Sequence, residues 1–240
     1  MSDHGPRKIG LVGGLSPEST VHYYEIICRE YNRHAGGLNF PPLTIESLNL
    51  QQLVSLFQVN DWNGVAAILL DALSRLRDAG AEFAAILANT PHNAYELIEE
   101  ASLLPIVTIM DATTNALVQD GRGLVALLGT QATMEYGFFQ RHFRSHGIES
   151  LVPNSSQRGE LDRIIWEELA HARVTPESQN AARSMISELI DQGADSVVLA
   201  CTELPMLIEP GDSSCPLYDT TRLHADAILH YALHGPLGTP

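Results

Sequence analysis

Short apolar, β-branched runs alternate along the chain with longer segments whose apolar positions recur every three or four residues. The first kind reads as buried strand and the second as amphipathic helix. Their alternation predicts a parallel sheet with crossover helices. Strands are expected at Ile9–Val12, Thr44–Leu48, Phe83–Leu87, Ile106–Ile109, Leu124–Leu128 and Ser196–Ala200. Helices are expected at Glu18–Arg33, Trp62–Ala79, Asn93–Ala101, Met134–His146, Glu160–Ala172, Pro176–Gln192 and about Arg222–Leu233. Where strand hands over to helix stand Gly13-Gly14, Asn89-Thr90-Pro91, Gly129-Thr130 and Cys201-Thr202. Small and hydroxyl residues at those points suit ligand binding, because open α/β sheets bind at the carboxyl ends of their strands.

The pattern occurs twice. The run from Ile9 to Gly14, followed by Ser16 and a helix with Tyr23-Tyr24, is echoed from Leu124 to Thr130, followed by Thr133 and Phe138-Phe139. Ala85-Ile-Leu-Ala-Asn-Thr is echoed by Val198-Leu-Ala-Cys-Thr-Glu, and Leu104-Pro-Ile with Asp111-Ala-Thr-Thr by Cys215-Pro-Leu-Tyr with Asp219-Thr-Thr. The three stations keep their order, at separations of 116 (Gly13/Gly129), 113 (Ala88/Cys201) and 108 (Asp111/Asp219). The expected fold class is therefore α/β, with two similar lobes, each a mostly parallel sheet flanked by helices. Pseudo-twofold symmetry would relate the lobes across a cleft. One lobe is expected over 1–114 plus 219–240 and the other over 115–218.

Charge removes several functions from consideration. There are 29 acidic residues against 14 basic ones, a formal net charge of −15, and no basic cluster, so no nucleic-acid partner is expected. No apolar stretch has the length of a membrane span, and the polar start at 1–8 does not read as a secretion signal. Cys28, Cys201 and Cys215 are too few and too scattered for a disulfide framework. Together these predict a cytoplasmic protein without a membrane partner. The ten histidines lack a His-Glu-x-x-His spacing and the cysteines a Cys-x-x-Cys pair, so no zinc site is expected. Gly13-Gly14 before Ser16 lacks both the Gly-x-Gly-x-x-Gly pattern and a following lysine, which argues against a nucleotide.

Five motifs occur in order: Gly13-Gly14-Leu15-Ser16-Pro17-Glu18-Ser19-Thr20, Asn89-Thr90-Pro91-His92, Gly129-Thr130-Gln131-Ala132-Thr133-Met134, Cys201-Thr202-Glu203, and Asp219-Thr220-Thr221-Arg222-Leu223-His224-Ala225. With them the chain resembles the aspartate/glutamate racemase family over nearly its whole length. The resemblance implies two α/β lobes, no pyridoxal phosphate, no metal, a homodimer, and a small amino acid or carboxylate as substrate. It also implies two cysteines that serve opposite faces of the substrate's α-carbon. Cys201 fits one of those stations. The other is Ala88, whose methyl group cannot transfer a proton. Three readings fit this departure: a different group or a water as second acid, a one-base reaction such as a decarboxylation, or an alanine substituted for a native cysteine.

Cys201 closes the apolar run Val197–Ala200 and is the expected catalytic acid/base. Free cysteine is also a common buried core residue, but a strand end before a helix start is where a thiol pKa is expected to fall. Ser16, Asn89, Thr90, Thr130 and Thr202 are the expected substrate-binding residues, and each also has the chemistry of a helix N-cap. The two roles are compatible, since free N–H groups at helix starts hold carboxylates. Thr133 is either a further substrate contact or a cap of the Met134 helix, the cap being slightly favoured, and His92 and His224 read as capping or packing histidines. Glu203 is either a first-turn acid or a contact to the substrate amino group or thiol. No basic residue lies between Arg33 and Arg75 to meet a side-chain carboxylate, which leaves Arg163 as the best remaining candidate, with an ordinary surface arginine as the favoured alternative.

Overall fold

A computed structural model describes residues 5–236. The chain forms two compact units. The first runs to Ile109 and resumes at His224, and the second spans Met110–Leu223. The sequence expectation put these divides at 114/115 and 218/219. The first falls instead at the start of an unforeseen helix, which the second unit takes nearly whole, and the other falls one turn into the last helix.

In the first unit, β1 (Ile9–Gly13) is followed by α1 (Pro17–Ala35), β2 (Leu43–Ser47), α2 (Leu50–Gln58), α3 (Trp62–Asp78) and β3 (Phe83–Ile86). A 3₁₀ turn over Thr90–Ala94 then leads through α4 (Tyr95–Ile98) to β4 (Ile106–Val107). The strands are parallel, in the order β2-β1-β3-β4. Alternation along the strands sorts the core into two layers. Val12, Ala84 and Ile86 pack with Val65, Leu69, Leu73 and Leu76 of α3. Ile9, Leu11, Phe83, Ala85 and Leu87 pack with Tyr23 and Ile27 of α1 and with Ala225, Ile228 and Ala232 of the last helix.

The second unit runs through α5 (Ile109–Gln119), β5 (Leu124–Gly129), α6 (Gln131–Glu135), α7 (Phe138–Ser145), β6 (Glu149–Leu151), α8 (Ser155–Glu167) and α9 (Pro176–Asp191). It continues with β7 (Ser196–Ala200), α10 (Leu204–Leu207) and β8 (Leu217–Asp219), and α11 (Thr220–His234) follows. Its sheet is again parallel, ordered β6-β5-β7-β8. Ala126, Leu128, Val197, Leu199 and Cys201 face Leu161, Ile164 and Ile165 of α8 and Ala182, Met185, Ile186 and Leu189 of α9.

Several elements differ from the pattern-based expectation. The helix expected over 134–146 is two, because Gly137 adopts a left-handed φ of 77° between α6 and α7. The helix expected from 160 starts at Ser155, where Asn154 and Gln157 form a capping box. The expected Asn93–Ala101 helix is a 3₁₀ turn plus one α turn. Strands β6 and β8 and helices α2, α5 and α10 were not foreseen.

Register makes the duplication concrete. Leu11 and Val12 pair with Ala85 and Ile86, and Leu127 and Leu128 pair with Val198 and Leu199. Gly13 and Gly129 end their strands alike, and Ala88 and Cys201 occupy the same place beyond the neighbouring strand. The third station moves. Ala85 pairs with Val107 and Val198 with Tyr218, so Thr108, not Asp111, is the counterpart of Asp219. Thr108 and Asp219 each stand just before a helix, α5 and α11. Asp111 lies inside α5, with Oδ1 3.0 Å from His142 Nε2.

Candidate active site

The strand β7 is buried along its length and delivers Cys201 to the carboxyl edge of its sheet. By alternation the side chain follows Val197 and Leu199 toward α8 and α9, and the residue is 7% exposed. The thiol is not left in hydrocarbon. Its Sγ donates to Glu203 Oε2 at 2.9 Å, and the Thr202 hydroxyl donates to the same oxygen at 2.6 Å. One carboxylate oxygen thus organises the whole Cys-Thr-Glu turn before α10.

This geometry corrects the expected thiol chemistry. Burial pushes the Cys201 pKa well above its usual value, and the negative charge and hydrogen bond of Glu203 push it further. A contact from the Glu203 backbone N–H pulls the other way and is outweighed. The helix that follows has a single turn, too short for much macrodipole. Cys201 rests as a thiol and a hydrogen-bond donor.

A further acid belongs to this environment. Asp162 of α8 accepts from the backbone N–H of Gln131 at 2.8 Å, at the start of α6, and its charge also disfavours a Cys201 thiolate. Nothing in the linear sequence sets Asp162 apart from its neighbour Arg163. Arg163 lies on the exposed side of α8, with 46% of its side chain accessible. It is engaged by Glu168 at 2.9 Å and Glu167 at 3.6 Å. Arg163 is thus held in an ion-pair group with the buried Glu168 and the exposed Glu167.

The hydroxyl residues divide by what their side chains already do. Ser16 Oγ accepts from Ser19 N–H and caps α1, with Pro17 at the first helical position. Thr130 Oγ1 accepts from Thr133 N–H and caps α6, and it lies 3.0 Å from the Thr133 hydroxyl. Asn89 is different. It precedes the 3₁₀ turn without a side-chain cap bond, is 6% exposed, and its Oδ1 has no hydrogen-bond partner. A buried, unpaired amide oxygen is costly unless something else satisfies it. Thr90 is half-buried beside it. The strand turn that carries Ala88 is pinned from below by His92, whose Nδ1 lies 2.8 Å from the Ala88 carbonyl and whose Nε2 accepts from Ile109 N–H. His224 plays a packing part, with Nδ1 toward the Tyr23 hydroxyl and Nε2 toward the Val107 carbonyl. The Ile109 N–H requires a bare Nε2 on His92, and the Val107 carbonyl requires a proton on Nε2 of His224.

The glycine turn beside Ser16 is required by space as well as by φ. Gly14 has φ 73°, and a Cβ there would fall 2.2 Å from the Leu48 carbonyl oxygen. Thr20 Oγ1 accepts from its N–H at 2.8 Å. The loop is thus locked by the protein's own groups.

Two parallel four-stranded sheets flanked by helices, with strand tips in matching register, are the two-lobed α/β fold of the racemases. The chain belongs to the Asp/Glu/Hydantoin racemase family, whose match runs over residues 12–228. An aspartate racemase homologue from Pyrococcus horikoshii OT3 superposes with a TM-score of 0.82 at 35% identity, covering 94% of this chain and 99% of that one. The broad specificity amino-acid racemase RacX of Bacillus subtilis (strain 168) is 23% identical over 218 residues, 89% of this chain and 92% of its own length. The aspartate racemase of Picrophilus torridus shares the fold, with a TM-score of 0.69 at 22% identity and 94% of each chain covered.

Proposed function

We propose that the chain is an amino-acid racemase or epimerase working without a cofactor, with Cys201 as its acid/base and Glu203 sharing the thiol's proton. The observation that carries this is the 2.9 Å hydrogen bond from Cys201 Sγ to Glu203. A thiol held high by a carboxylate can pass its proton to that carboxylate, act as a thiolate base, and recover the proton afterwards. In the proposed cycle Glu203 takes the thiol proton and the thiolate removes the substrate α-proton. The electron pair left on carbon spreads into the substrate carboxylate. Ser16, Asn89, Thr90, Thr130 and Thr202 are the candidate donors for that charge. Once the thiol has traded its proton with solvent, return of the new proton from Cys201 to the same face gives exchange without inversion. Inversion needs a proton from the other face, and with Ala88 at the equivalent station the proposed donor is water.

Incubation with amino acids in heavy water tests this. Deuterium is expected at the α-position, faster than the configuration inverts, and Cys201→Ser should lower the exchange at least a hundredfold. Undiminished exchange in that variant would dispose of the proposal. The resting thiol and Ala88 also favour a second reading, a decarboxylase in which carbon dioxide leaves and Cys201 delivers the single proton that replaces it; carbon dioxide release without α-exchange would establish that instead. A binder without catalysis would give heat on titration and neither product.

Among the described residues no helix is long and apolar enough to cross a membrane. A cytoplasmic setting and a homodimer complete the proposed reading, the latter checked by sedimentation equilibrium.

A further inference from the structure

Resting on the racemase reading above, we infer that the site takes amino acids whose side chains carry no negative charge, in preference to aspartate or glutamate. The inference comes from where the charges stand at the carboxyl edges of the two sheets. Of the three residues that follow each of the eight strands, only Glu203 and Arg222 are charged. The tips after β1, β2, β3 and β4 read Gly14-Leu15-Ser16, Leu48-Asn49-Leu50, Leu87-Ala88-Asn89 and Thr108-Ile109-Met110. They offer small residues and hydroxyl or amide groups, and no cation.

The arginines of the second unit have partners of their own. Arg158 pairs with Glu135 and donates to the Pro153 carbonyl. Arg163 pairs with Glu167 and Glu168, and Arg183 with Asp212. Arg122 reaches the Tyr218 hydroxyl. Arg222 is exposed and lines a separate depression with Gln119, Asp120 and Tyr218. The two charges that bear on the thiol, Glu203 and Asp162, are both negative. Glu203 is bonded to it, and Asp162 is anchored on Gln131 N–H at the neighbouring strand tip.

One carboxylate, the α-carboxylate common to all amino acids, can be held by neutral N–H and O–H donors alone. A second carboxylate on the side chain would have to shed its water without a cation to receive it, beside Glu203 and Asp162. A neutral side chain meets no such penalty, and a cationic one meets complementary charge.

The test measures kcat/KM for α-proton exchange in heavy water, using serine, methionine, lysine and arginine against aspartate and glutamate, with the full chain. At least one of the first four is expected to exchange ten times faster than either acidic substrate. Equal or faster exchange of aspartate or glutamate would overturn the inference while leaving the racemase reading intact. Exchange with none of the six would instead defeat the reading and the inference with it. Asp162→Asn supplies a second readout. The disadvantage of the acidic substrates should shrink at least threefold, and an unchanged ratio would rule out the charge argument.

Discussion

At the scale of single residues, the proposed chemistry turns on two positions that strand register makes equivalent. Cys201 carries a proton and Ala88 carries none. Restoring a thiol with Ala88→Cys is expected to raise the rate of inversion at least tenfold, with a smaller change in exchange, as read by polarimetry and proton NMR together. A variant with exchange and inversion both unchanged would show that position 88 has no access to the substrate. The thiol's own state can be read directly. Because the Glu203 charge holds the Cys201 proton on, Glu203→Gln should lower the pH at which the thiol is alkylated, speeding its modification at pH 8. Peptide mass spectrometry separates Cys201 from Cys28 and Cys215. Cys201 was legible in the sequence because it closes an apolar run inside a recognisable motif. Asp162 was not, because nothing in a linear pattern distinguishes an acid that bonds a strand-tip amide from one in water. Arg163 drew attention on charge alone, and helical geometry turns it away from Asp162's side toward Glu168.

At the scale of elements, long buried strands and well-bounded helices were readable, whereas short edge pieces were not. β7 matched its expected span to the residue, and α1, α3 and α9 lay within a few residues of theirs. β6 escaped notice because it is a three-residue strand that opens on an exposed glutamate, leaving too little apolar alternation to register. The break at Gly137 was invisible to helical periodicity, which continues across it. Side-chain caps decide other starts, and one is sensitive to pH. Asp195 Oδ2 accepts from Gly123 and Leu124 N–H at the entrance to β5. Burial raises its pKa, but these bonds and that of Ser196 outweigh it and leave the pKa lowered. A carboxyl depressed in the folded state stabilises above its unfolded pKa of about 3.9 and loses that contribution as pH falls through the folded value. Asp195→Asn should therefore lower the Tm at pH 7, and the gap from the parent should close as the pH falls through and below the ordinary aspartate range. Melting curves across that range check it, and a gap independent of pH would contradict it.

At the scale of the whole molecule, the internal echo was the most informative feature of the sequence, since it led to two lobes before any strand pairing was known. Its third station was misaligned because Asp-x-Thr-type spacing recurs near the helix starts, and only the pairing of β3 with β4 and β7 with β8 identifies Thr108 and Asp219 as counterparts. The division of the chain also differs in kind from a simple tandem. The second unit is one uninterrupted stretch, and the first needs α11, from His224 onward, to complete it. Ending the chain after Leu223 should leave Met110–Leu223 intact while uncovering the apolar layer of Ile9, Leu11, Phe83 and Ala85. Binding of a hydrophobic fluorescent dye should rise severalfold; dye binding equal to that of the full chain would show that α1 alone shields the layer.

The same arrangement sets an order of events during synthesis. A chain emerging from the ribosome tends to fold in the units whose residues are all available. Met110–Leu223 is fully exported when Leu223 clears the exit tunnel, yet the sheet begun at Ile9 still waits for Ala225, Ile228 and Ala232 to close one of its faces. The half that is translated first is the half that is finished last, and through that interval its uncovered strands are the part of the nascent chain most in need of a chaperone.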